Sequence, residues 1–392
     1  MPESRVVLVN NAVDSGSIDR SWTEAEPQII AERGTIDQGI DEGSLGKIYG
    51  FTTLLGQLDA VESTAQSQGL LLRSHLIGRR CSMSAEWLRT ISAVKIHQLA
   101  QGGSGISGQT FRALLDSFGH EVVAEGAWWD SYGCGDVVPA AWWVNATLGE
   151  SAVSGWAAGD LIALINGNFL STASVVMAGR RLRRTVEGSS ELVDRILRGP
   201  DEKVGARHLQ LPVSRRPPHS VDAIGRAAIA NLDDAAGSAL KCFSGNPVFS
   251  FSDEVGVHSV SSFLNIEAAA AISAVLRRVR LMGALAVRAI EVECQRRIGA
   301  AGTVDQLRFV QPPKVAAAIL AEGALPGTDT AGGLISGSEG LEDVADAALS
   351  SSRYLHLALD NLATIMRILE AVVEDRSLIL DGESWQGFCW GQ

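Results

Sequence analysis

The chain has 392 residues, of which 46% are hydrophobic and 20% charged, enough apolar side chain for a large core and a length that fits two or three domains. A formal net charge of -12, with no Lys/Arg run that supplies a basic face, argues against a general affinity for nucleic acid or anionic membranes, leaving small molecules and protein partners. Five cysteines, Cys81, Cys134, Cys242, Cys294 and Cys389, are odd in number and lack CxxC spacing, so they define neither a metal site nor a disulfide framework.

In chain order, Arg5 to Asn10 reads as the best candidate strand, and its apolar run is too short for a signal peptide or membrane span. A reducing cytoplasm is the expected setting. Trp87, Leu88, Ile91, Val94 and Leu99 recur at helical spacing before Gly102-Gly103. Breakers gather from Gly199 to Pro218 and again from Gly323 to Gly340, and both segments read as loops. Val248 to Phe251 is short, follows Gly245-Asn246-Pro247, and also reads as loop. From about Ser262 to Gly299 an Ala/Leu/Val/Arg-rich run interrupted only by Gly283 predicts one or two long helices, and Leu355, Leu359, Leu362, Met366 and Leu369 form a further stripe. The chain is thus expected to be all-α, a bundle of long helices with little strand. The division expected is 1–200, an N-terminal domain carrying the candidate site, and 201–392, a central bundle with C-terminal helices.

The most informative stretch is Gly133-Cys134-Gly135-Asp136-Val137-Val138-Pro139-Ala140-Ala141. Glycines on both sides of Cys134 remove the Cβ groups that keep a peptide nitrogen away from a carbonyl two residues back, so the triplet can close on itself. It resembles the Ala-Ser-Gly-Asp-Leu-Ala-Pro-Leu-Ala motif of the aromatic amino acid and histidine ammonia-lyases. In that family such closure yields the electrophilic methylidene-imidazolone, here to be formed from Gly133-Cys134-Gly135.

Other segments resemble the same family in the same order. Tyr49-Gly50-Phe51-Thr52-Thr53-Leu54-Leu55-Gly56 is similar to its Tyr-Gly-x-x-Thr-x-x-Gly loop, which implies Tyr49 as the base for the β-proton. A phenol has a pKa of about 10 and works as a base near neutrality only where donors or positive charge stabilise its anion. Leu71 to Gly78 resembles the selectivity region, with Ser74-His75 closer to the histidine lyases, which implies that His75 faces the substrate side chain. Leu99 to Gly105 matches Leu-Ala-x-Gly-x-Ser-Gly, and Asp160 to Asn168 resembles Glu-Gly-Leu-Ala-Leu-Leu-Asn-Gly-Thr, placing Asn166 beside the prosthetic group. The spacing between triplet and asparagine is shorter here. Trp128 and Trp129 precede the triplet and Trp142 and Trp143 follow it; as tryptophan pairs they read first as core or interface.

Ser214-Arg215-Arg216-Pro217-Pro218-His219 resembles Tyr-Ser-x-Arg-x-x-Pro-Gln, whose arginine holds the substrate carboxylate. Arg215 fits the spacing to the proline and Arg216 that to the serine, and the guanidinium fork suits both carboxylate oxygens. The second tyrosine of that motif is replaced by Pro212 or Val213. Ser261-Ser262-Phe263 is weakly similar to Gly-Asn-Phe-His-Gly, with Phe263 as a substrate contact. Leu341-Glu342-Asp343 resembles Gln-Glu-Asp, where Glu342 meets the substrate amine or relays a proton; a carboxylate at a helix N-terminus is equally a favourable dipole partner.

The resemblance implies the ammonia-lyase, or fumarase-aspartase-like, helical fold, a cytoplasmic homotetramer with sites drawn from several subunits, no metal, and an aromatic or heteroaromatic amino acid substrate. Ammonia elimination and 2,3-aminomutation use the same parts. A second reading stays open: a divergent homologue without the prosthetic group, using Tyr49 and a free Cys134 for another elimination or cyclisation, or serving as a binding scaffold.

Overall fold

The computed structural model describes residues 4–149, 155–199, 212–216, 220–300, 304–322, 334–337 and 342–376. Most of the two breaker-rich segments lies outside these residues.

The N-terminus corrects the strand expected over Arg5 to Asn10, because it forms helix α1 (Arg5–Ser15). Val6, Val9, Ala12 and Val13 recur every three to four residues and are all buried, so packing of that face outweighs the strand preference of β-branched side chains. Gly16 ends the helix with a left-handed φ of 63°. α2 (Arg20–Glu24) is capped by Asp19, which accepts from the Ser21 amide, and α3 (Glu26–Asp41) follows with Pro27 in its first turn. α4 (Ala65–His75) opens on a reciprocal Thr64–Ser67 capping box. α5 (Ala85–Leu99) starts where Ser84 accepts from the Trp87 amide, and every residue from Thr90 to Leu99 is buried.

Helices α6 (Gly108–Ser117), α7 (Val137–Leu148) and α8 (Asp160–Ile165) lead into the 30-residue α9 (Phe169–Arg198). The bundle is completed by α10 (Val221–Ala239), the 35-residue α11 (Ile266–Ala300), α12 (Pro312–Glu322) and α13 (Ala348–Glu374). The long helix expected from Ser262 to Gly299 is thus one continuous element. Gly283 inside it is a contact point, since a Cβ there would stand 2.8 Å from Leu320 of α12. α9, α10, α11 and α13 pack on one another, with α5 crossing α9, around Leu232, Ile272, Val279, Ile290, Ile365 and Leu369. By length and hydropathy Asp160 to Arg198 could cross a membrane, but its most apolar window is wholly buried, as in a core helix.

Among the described residues the strands form antiparallel pairs: β1 (Cys81–Met83) with β2 (Ala124–Gly126), β3 (Val248–Phe251) with β4 (Val255–His258), and β5 (Leu334–Gly337) with β6 (Glu342–Val344). Val248–Phe251 is therefore strand rather than loop. Its backbone pairs with Val255–His258 in register Val248↔His258, and the Phe249 amide also donates to the Gly103 carbonyl at 2.9 Å. A smaller apolar cluster of Ile36, Ile48, Phe51, Ile162 and Phe249 joins α3, the Tyr49 loop, α8 and this hairpin.

Candidate active site

The Gly133-Cys134-Gly135-Asp136 turn sits directly before α7 with its backbone in the left-handed region: φ is 88° at Gly133, 74° at Gly135 and 49° at Asp136. Glycine adopts such angles without cost, while a non-glycine residue there holds strain that its surroundings must sustain. Those surroundings are tight. The Asp346 amide donates to the Gly133 carbonyl at 2.8 Å, the Gly133 amide donates to Ser131 Oγ at 3.0 Å, and Ser131 Oγ donates to Asp136 Oδ1 at 2.5 Å. Cys134 is buried and forms no disulfide.

Asn166 ends α8 and lies against the turn, with its Nδ2 2.9 Å from where a Cβ on Gly135 would stand. The Gly167 amide donates to the Gly135 carbonyl at 3.4 Å. A buried amide ordinarily satisfies both its donor and its acceptor, yet the buried Oδ1 of Asn166 has no partner within the protein. Two observations therefore fit this turn to a methylidene-imidazolone: two Cβ-free residues flank Cys134, and an orphaned amide oxygen lies alongside.

Lys95 lies under Asn166, a cation at an apolar-stripe position of α5. Its ammonium is fully buried, 3.3 Å from the Asn166 carbonyl and 4.5 and 5.3 Å from the ring centroids of Phe169 and Phe243. Burial pulls its pKa down to about 7. Burial also pushes the Asp136 carboxyl up to about 7, opposed by the Ser131 hydrogen bond and reinforced by the nearby Asp346 carboxyl. Asp346 is itself raised by burial, against hydrogen bonds from the amides of Asn265 at 2.7 Å and Ala348 at 2.8 Å. Nothing in the motif pattern marks Asp346; only the fold brings it to the turn.

The Tyr49 loop reaches this region through α8. A Cβ on Gly50 would stand 2.7 Å from Ile162, four residues before Asn166, and Tyr49 is half-buried with its hydroxyl accepting from the Gly56 amide at 2.9 Å. His75 ends α4, half-buried, and its Nδ1 carries the proton, because its 2.7 Å partner is the Leu71 carbonyl, which can only accept. The chain after His75 is sewn to the Cys134 loop. Arg79 grips Asp130 through its amide and guanidinium, and Trp142 Nε1 donates to the Ile77 carbonyl at 2.9 Å. Trp128 and Trp143 are buried supports, the latter donating to Ser92 Oγ at 3.1 Å, so these two are core, as tryptophan pairs usually are.

Phe263 is half-buried in the turn before α11. Its neighbour Ser262 accepts through its carbonyl from Asn168 Nδ2 at 3.2 Å and Ser244 Oγ at 3.0 Å, at the N-terminal end of α9. An open cavity of about 260 Å³ lies there, lined by Asn168, Phe243, Ser244, Ser262 and Asn265 among others, but not by Cys134, Tyr49 or His75. Glu342 lies in strand β6, not at a helix N-terminus, and its side chain is outside the described residues; its segment runs directly into Asp346.

The arginines are not brought to the turn within one chain. Arg215 is buried at the far end of α9, where its Nε donates to the Leu197 carbonyl at 2.8 Å and its Nη2 to that of Gly199. Arg216 beside it is exposed. At 1.5 Å per residue the 30-residue α9 puts them roughly 40 Å from Asn166.

Residues 12–174 match the family described as aromatic amino acid lyase, and the chain has the ammonia-lyase fold. Phenylalanine aminomutase of Pantoea agglomerans is similar in structure with a TM-score of 0.75 at 15% identity, over 97% of this chain and 91% of that one. Histidine ammonia-lyase of Trypanosoma cruzi gives 0.71 at 20% identity, over 97% and 84%. The ergothioneine-degrading ergothionase of Treponema denticola gives 0.68 at 16% identity, over 94% and 88%. No curated protein sequence matches the chain.

Proposed function

We propose that the chain eliminates ammonia from an aromatic or heteroaromatic α-amino acid, or shifts the amine by 2,3-aminomutation, at a site built on Gly133-Cys134-Gly135. The observation that carries this reading is the left-handed turn with glycine on both sides of Cys134, pressed against the orphaned amide of Asn166. The triplet would constitute the methylidene-imidazolone and Asn166 would hold it; once formed, that group supplies an electrophilic carbon that activates the substrate for loss of its amine.

The chain's own residues do the rest. Tyr49 takes the β-proton, and the Gly56 amide at its hydroxyl is a donor of the kind that stabilises a phenolate. His75 offers a polar contact to the substrate ring and Phe263 an apolar one, while Glu342 meets the amine. Arg216, exposed where Arg215 is engaged with helix carbonyls, is the better carboxylate anchor. Its distance from Asn166 means that it acts in another subunit's site, and so the reading includes a homotetramer, placed in the cytoplasm. The rival reading, a scaffold that keeps its Cys134 thiol, draws on one observation: the fit of Arg215 to the end of α9 is that of a structural residue.

Intact mass separates the two. Maturation removes one water and one hydrogen sulfide from the chain, and ammonia is then released from aromatic amino acids. Tyr49→Phe should keep the matured mass and lose roughly 10²–10⁴-fold in ammonia release, the usual worth of a positioned base. A full, unmodified mass with no ammonia overturns the lyase reading.

A further inference from the structure

We propose that the backbone amide of Asp346 is the oxyanion donor for closure of the Gly133-Cys134-Gly135 turn, so that the segment entering α13 helps to make the prosthetic group. This inference rests on the reading in the preceding subsection and deepens it.

Two features of the Gly133–Asp346 contact support it. The Asp346 amide already donates to the Gly133 carbonyl, the one attacked in ring closure, at 2.8 Å. A Cβ added to Gly133 would stand 1.6 Å from the Asp346 carbonyl oxygen and 2.8 Å from its carbon, so the Asp346 peptide occupies the space that an alanine side chain needs. Glycine at 133, where the related motif has alanine, is thus what lets this amide approach. The donor is also fixed beforehand. Both Asp346 carboxylate oxygens are tied down, by the Asn265 and Ala348 amides, and Asp346 is buried. A preorganised donor aimed at developing charge needs no rearrangement when that charge forms.

The chemistry balances without an oxidant. The Gly135 nitrogen bonds to the Gly133 carbonyl carbon, and the carbonyl π pair moves to oxygen, where the Asp346 N–H stabilises it. The proton leaving Gly135 nitrogen ends on that oxygen, and the Asp136 carboxyl next in sequence is placed to relay it. The hydroxyl then leaves as water with the Cys134 amide proton, giving a carbon–nitrogen double bond. Loss of the Cys134 Cα proton and of Sγ as hydrogen sulfide gives the methylidene.

The test compares intact mass and thiol content of the denatured chain for wild type, Gly133→Ala and Asp346→Pro, scored only on protein that is folded by circular dichroism and size exclusion. Wild type should show the matured mass and four titratable thiols of its five cysteines. Gly133→Ala displaces the Asp346 peptide and Asp346→Pro lacks the N–H, so each should keep full mass and five thiols, or mature at least about 100-fold more slowly. Either folded variant maturing at the wild-type rate overturns the proposal, as does a variant halted after loss of water alone, which would place the amide at the later elimination. A wild type of full mass overturns the lyase reading and this inference with it, whereas matured variants overturn the inference alone.

Discussion

The two ends of α9 are built from opposite materials. Its N-terminal end buries Asn168, Ser171, Thr172 and Ser174, which bond to Gln98, Asn265 and the neutral, buried His356, and it lies next to Lys95, Asp136 and Asp346. Its C-terminal end buries Val186, Val193 and Leu197 with only the hydroxyls of Ser189 and Ser190 among them, and its charges include the Arg183–Asp233 pair and Arg215 against its last carbonyls. Buried polar groups cost stability unless each is satisfied, and a buried charge costs more. The first end therefore carries groups that packing alone would not select, and the second supplies the cohesion that lets them stay.

Breaking the apolar end should give the largest loss of stability with the least effect on the site. Leu369 is fully buried on α13 beside Glu370, whose carboxylate accepts from Ser189 of α9. Leu369→Ala removes packed methyl groups and leaves a cavity, which costs about 2–5 kcal/mol. Urea unfolding should show that drop in midpoint, while the intact mass stays that of wild type. A changed mass would mean that the two ends are coupled more tightly than their chemistry suggests.

The polar end can be read through pH, with a smaller effect. Between about 4 and 7 the unfolded chain has released the Asp136 proton that the folded chain still holds, the ordinary value being 3.8 and the folded one about 7. Folding then takes up a proton, and stability falls as pH rises. Between about 7 and 10.5 the unfolded chain still holds the Lys95 proton that the folded chain has released, so stability rises with pH. The two contributions together dip near neutrality. Lys95→Met should flatten the upper limb and Asp136→Asn the lower one, both measurable as melting temperature against pH; an unchanged profile in either variant would show that the group titrates normally in the fold.

How much of this was legible in the sequence follows from how local each determinant is. The long helices and the Cys134 turn were readable, because periodicity, caps and flanking glycines act within a few residues. Arg5–Ser15 was not: four β-branched or leucine residues in a row carry strand preference, and only the buried face against α5 decides for helix. Val248–Phe251 needed its partner Val255–His258 to become a strand. Lys95 was visible as a cation in an apolar stripe, but its meaning depends on Asn166, 71 residues on. Asp346 could not have been read at all, since its contact with Gly133 is made by backbone atoms, and backbone atoms leave no residue-type signal.

The comparison is sharpest at the arginine pair, where one end of α9 holds a residue expected to serve the other. Arg215 donates to the Leu197 and Gly199 carbonyls, the groups that a helix C-terminus leaves without intrahelical partners, and its charge opposes the negative end of the helix dipole. Hydrogen bonds from a charged donor are each worth about 1.5–3 kcal/mol, part of which a water at the frayed end recovers. Arg215→Met should therefore lower stability by about 1–2 kcal/mol and leave the KM for an amino acid substrate unchanged. Arg216, exposed, should act on the other quantity: Arg216→Ala raises KM about tenfold or more, as expected when a carboxylate loses a bidentate partner. If Arg215→Met instead raises KM with little change in melting temperature, the engaged arginine changes partners when the subunits assemble, and the division of labour along α9 belongs to the isolated chain only.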